Sequence, residues 1–130
     1  MTAHRVLGVI DRAYRGAVEA QFFDAVYGVL DFRAQLGEVA LALRGPAVTL
    51  AVDEDSYRPV LDLGGVELDT LPDYRTAVRA VVTEGIPVFV DEADLRALGF
   101  DPGRLLDGVH CLDPDELAAR WSDYDQVWFV

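Results

Sequence analysis

Gly85-Ile-Pro-Val-Phe-Val-Asp-Glu-Ala-Asp-Leu-Arg-Ala-Leu98 changes character in its middle. Ile86 to Val90 is apolar throughout, with β-branched residues and a phenylalanine behind a glycine, which suits a parallel strand covered on both faces. Asp91 follows, and Asp94 comes three positions later, the N-cap pattern of a helix beginning at Glu92 and running to Leu98. A buried strand passing straight into a helix is the βα junction of an open α/β sheet. Ligand sites in such sheets lie outside the carboxyl ends of the strands, so Asp91-Glu92 is expected in the functional crevice. The residues standing there are acids and not nucleophiles.

The same pattern recurs outward along the chain. Arg5 to Asp11, RVLGVID, is too short for a helix and reads as a first buried strand. From Ala17 to about Leu36 the spacing is helical, with Val18, Phe22, Ala25, Val26, Val29 and Leu36 on one stripe and Phe23, Tyr27 and Leu30 on a second. A helix apolar on two sides needs two partners: one is the sheet, and another subunit is the candidate for the other. Gly37 suits a C-terminal cap before a strand Glu38 to Leu43. Arg44-Gly45-Pro46 turns into a short helix over Ala47 to Val52. Val60 to Asp69 alternates around Gly64-Gly65, which predicts a two-residue hairpin set apart from the core. Asp73 to Glu84 is helical and Gly85 stops it. Beyond the opening junction, Asp101-Pro102-Gly103 is a turn signal with one helical turn expected at Arg104 to Leu106. Val109 to Leu112 is a short strand. Asp113-Pro114-Asp115-Glu116 marks a helix start by its capping aspartate, its proline at the first helical position and its glutamate at the third. That helix is expected to reach Trp121, and Tyr124 to Val130 closes the set as an apolar strand. Five core strands separated mostly by helices predict one domain over residues 1–130, a three-layer α/β/α sandwich with a mainly parallel five-stranded sheet.

Composition narrows the function classes. The chain has 130 residues, is 52% hydrophobic, and carries 23 acids against 11 bases, a formal charge of -12. A phosphate backbone or an anionic membrane needs a basic footprint, so neither nucleic acid nor membrane is an expected partner. All 11 bases are arginine, which removes lysine chemistry such as a Schiff base. One cysteine, Cys111, cannot form an internal disulfide, so a reducing cytoplasm is the expected compartment. No apolar run reaches the length of a membrane span, and the first residues lack the shape of a signal peptide.

Candidate chemistry is sparse. Cys111 lies inside a short strand, where burial and inertness are expected. His110 beside it faces the other side of that strand, which weakens a Cys-His dyad drawn from adjacency. No histidine pair has metal spacing, and neither a metal nor a cofactor is expected. The acids Asp53 to Asp55 and Asp113 to Glu116 read as solvated loop and cap residues. A functional alternative gathers Asp11, Tyr14, Arg15, Arg44, Asp91 and Glu92 around one crevice at the ends of the first three strands, where a small anionic ligand would bind.

The last third, GIPVFVDEADLRALGFDPGRLLDGVHCLDPDELAARWSDYDQVWFV, resembles the DsrE/DsrF-like family of sulfur-relay proteins, of TusC/TusD type. The corresponding parts are the strand Ile86 to Val90, the helix Glu92 to Leu98, Gly108-Val109, the acid-capped helix Asp113 to Trp121, and Asp125, Val127 and Phe129 in a closing strand. ALALRGPAV looks like the family's strand-to-glycine segment nearer the amino terminus. The resemblance implies a flavodoxin-like sandwich that assembles into trimers, hexamers or mixed oligomers with related subunits. It also implies that catalytic members hold a persulfide on a cysteine at the end of the strand that here ends in Val90. This chain has Asp91 at that position, so it looks closer to the non-catalytic DsrF/TusC subunits. The expectation is a non-catalytic or regulatory subunit, with an anionic-ligand module or a sulfur carrier using Cys111 as alternatives.

Overall fold

The computed structural model describes residues 4–12, 25–53, 60–69 and 74–130. Five strands, β1 (Arg5–Ile10), β2 (Glu38–Leu43), β5 (Val88–Asp91), β6 (His110–Leu112) and β7 (Gln126–Phe129), form one sheet in the order β6-β5-β2-β1-β7. Every pairing in it is parallel. The three inner strands are the apolar runs of the sequence, as a sheet covered on both faces requires.

Side-chain alternation divides the core in two. Ile10, Leu41, Leu43, Val88 and Val90 point to one face, where they meet Val26 of α1 (Ala25–Leu36), Ala77, Val78 and Val81 of α2 (Tyr74–Thr83), and Leu95 of α3 (Glu92–Ala97). Leu7, Val9, Ala40, Ala42 and Phe89 point to the other and meet Leu117 of α4 (Pro114–Arg120). The result is the α/β/α layering expected from the sequence. Because α4 connects β6 at one edge to β7 at the other, the chain crosses the whole sheet on that face.

Several boundaries move for local reasons. β5 starts at Val88, two residues late, because Pro87 accepts from the Leu41 N–H at 2.9 Å but has no N–H to return. It extends through Asp91, which also caps α3. The short helix after β2 is a 3-10 segment, Gly45–Ala51, which begins at the Gly45-Pro46 turn. The turn after Asp101 spans Pro102–Arg104, with the Asp101 carboxylate accepting from the Gly103 N–H at 2.8 Å. Of the helix expected from Ala17, residues 17–24 lie outside the described residues. Gly37 does end α1: its φ is 92° and its N–H donates to the Arg33 carbonyl at 3.1 Å. The hairpin is present as β3 (Leu61–Asp62) against β4 (Glu67–Leu68), turning through Gly64 and Gly65 at φ 75° and 101°. Asp113 caps α4, accepting from the Glu116 N–H at 2.9 Å, and that bond holds its carboxyl below its ordinary value.

Candidate functional site at the carboxyl ends of the strands

The βα junction after β5 is built around two aspartates. Asp91, only 8% exposed, accepts from the Asp94 N–H at 3.1 Å. Asp94 in turn accepts from the Gly45 N–H at 2.7 Å, so α3 is tied to the segment that leaves β2. Glu92 pairs with Arg96 one helical turn on, at 2.9 Å. All three acids at the end of β5 and the start of α3 therefore have structural partners.

Asp11 and Arg44 lie one residue past Ile10 and Leu43, which are register partners. Their side chains meet in a two-point pair, Nε to Oδ1 at 3.0 Å and Nη2 to Oδ2 at 3.4 Å. The same guanidinium lies 5.4 Å from the Trp121 ring and 5.7 Å from the Phe129 ring, and those rings meet edge to face at 5.8 Å. Such contacts favour a cation over a ring face. The Trp121 indole N–H is buried without an acceptor among the described residues. Of the crevice residues expected from sequence, Asp11 and Arg44 are brought together, while Asp91 and Glu92 serve α3. Tyr14 and Arg15 lie outside the described residues. Trp121 and Phe129 have no local signal as partners of Arg44, because each sits at an end of a different element and only the sheet order joins them.

Cys111 is half-buried, less covered than an inner strand position would be, because β6 is the outer strand of the sheet. Its register partner on β5 is Val90, so it stands one residue short of the level of Asp91. Burial pushes its thiol above the ordinary value, the Glu92 carboxylate pushes it further, Arg96 opposes them, and Asp91 adds the smallest upward effect. A thiol in that setting is mostly protonated near neutral pH and a poor nucleophile. His110 faces the other way and stacks against Phe89, ring centres 5.8 Å apart.

A cavity of about 470 Å³ lies at the opposite end of the sheet, lined by Arg5, Arg33, Glu38, Glu84 and Tyr124 among others. Its cations are already paired, Arg5 with Glu38 at 3.4 Å and Arg33 with Glu84 at 3.1 Å. Burial raises the Tyr124 phenol above its ordinary value, against the nearby Arg5 and Arg120. Among the described residues no cluster of His, Cys, Asp or Glu is placed to hold a metal ion, and no helix is long and apolar enough to cross a membrane.

No family model matches the chain, and no curated protein matches it in sequence. Among the solved structures that share its fold are two that cover nearly the whole chain. The YchN protein of E. coli superposes with a TM-score of 0.72 at 18% identity, covering 99% of this chain and all of its own. MTH1491 of Methanobacterium thermoautotrophicum, a protein described as of unknown function, gives a TM-score of 0.65 at 18% identity, covering 96% of this chain and 98% of its own. The architecture is thus the DsrE-like α/β fold represented by YchN.

Proposed function

We propose that this chain is a non-catalytic subunit of the DsrE/DsrF-like type, which contributes a folded surface to an oligomeric sulfur-relay assembly in the cytoplasm and carries no sulfur itself. The observation behind this reading is Asp91 at the end of β5, where the family resemblance expects a persulfide cysteine. A carboxylate has no means of holding sulfane sulfur, and this one is committed to capping α3. The fold shared with YchN supports the reading, and so does the state of the one thiol. Cys111 is held protonated by burial and two acids, which weighs against a sulfur carrier built on it. The pairing of Arg44 with Asp11 weighs likewise against a free anion site in the crevice.

Asp91→Cys tests the assignment of that position. A cysteine there stands at the strand end beside the Asp94 N–H, which stabilises a thiolate. In a Cys111→Ser background it is expected to react with a thiol reagent at least tenfold faster than Cys111 does in the parent chain. A rate no faster than that of Cys111 removes the correspondence on which the reading rests.

A further inference from the structure

The outer strand β7 lacks the protection that exposed sheet edges ordinarily have. Natural edges are guarded by charge, proline, bulges or shortness. Both outer strands are short, β6 with three residues and β7 with four, but β7 has neither of the chemical guards. Gln126 to Val130 contains no charged residue and no proline, and it exposes Trp128 at 43% and Phe129 at 61%. The Val130 N–H donates inward to the Val9 carbonyl at 3.0 Å. Alternation then turns the N–H and C=O groups of Val127 and Phe129 to the open side. A row of backbone donors and acceptors is matched by another strand and by little else.

We infer that β7 pairs with β7 of a second copy, antiparallel across a two-fold axis at Trp128, joining two five-stranded sheets into one. Three features select this occupant. In that register Val127 and Phe129 of each copy exchange backbone hydrogen bonds, and the two Trp128 side chains form the central pair without hydrogen bonds, the closer kind of cross-strand contact. The Trp128 indole N–H already donates to the Gln126 side chain at 3.0 Å, so covering it strands no donor. In a chain of net charge -12, this uncharged strip is where two copies approach with least repulsion. The inference rests on the assembly reading above and names the surface that it uses.

The test is the mass of the particle by light scattering, for the parent chain and Trp128→Lys, with circular dichroism as the control for folding. The parent is expected to have an even number of subunits, and the variant half that mass with an unchanged spectrum. As an independent check, Cys111→Ser/Trp128→Cys is expected to form a covalent dimer on mild oxidation, since a central antiparallel pair brings the two Cα atoms to about 4.5 Å. An oligomeric parent whose mass survives Trp128→Lys, or whose Trp128→Cys form fails to cross-link, overturns this surface and leaves the assembly reading standing. A monomeric parent overturns both.

Discussion

Leu95→Ala is expected to lower stability by about 3 kcal/mol and the melting temperature by roughly 10 °C. Leu95 is fully covered and is the one buried residue of α3. A helix of six residues is too short to persist alone, so α3 exists because this side chain enters the core between β5 and the 3-10 segment. Truncation removes that anchor and leaves a cavity where the surroundings can only partly close. The loss reaches the candidate site, because Asp91 and Asp94 cap and tether the same helix. Thermal denaturation of Leu95→Ala beside Arg96→Ala measures it. Arg96 is exposed and pairs with Glu92 along the helix, so its replacement is expected to cost about 0.5 kcal/mol or less. Equal effects of the two substitutions would contradict this account of α3.

Gly37→Ala is expected to cost on the order of 3 kcal/mol, for two reasons that add. At φ 92° a residue with a Cβ is strained wherever it sits, and here the added carbon would run into the backbone carbonyl of His4. That carbonyl accepts from the Glu38 N–H at 2.9 Å, where β2 comes in beside β1. The clash therefore falls on the start of the central strand pairing and cannot be relieved by a side-chain rotation. Gly64→Ala separates the two causes. Its φ is 75°, but the space around it is open, so only the conformational cost remains, about 1 kcal/mol. Chemical denaturation of both variants gives the comparison, and a Gly37→Ala as mild as Gly64→Ala would contradict the close approach.

What could be read from sequence was what short-range chemistry decides. β2 spans the predicted Glu38 to Leu43, Asp113 caps its helix, and Gly64-Gly65 turns the hairpin. Each follows from period, capping or backbone freedom within a few residues. Strand order is different, because it depends on which apolar faces fit together across the whole chain. Local periodicity cannot tell an inner strand from an outer one. That is why Cys111 is less buried than its apolar strand implies, and why Trp128 and Phe129 stand in solvent although Tyr124 to Val130 reads as a core strand. The same gap hides the contact of Arg44 with Trp121 and Phe129, which exists only because β7 lies beside β1 at the sheet edge. Asp91 was legible as a cap. The bond from the Gly45 N–H to Asp94, which ties α3 to the segment leaving β2, needed the third dimension.

The claim that this chain carries no sulfur is tested most directly by its intact mass after exposure to inorganic polysulfide near neutral pH, with Cys111→Ser treated alongside. Asp91 offers no thiol at the strand end, and Cys111 is held protonated by burial and by Glu92 and Asp91. The expected result is a mass that gains no sulfur beyond what the cysteine-free variant gains. A stoichiometric gain of one sulfur atom on Cys111, removable by a small acceptor thiol, would contradict the account.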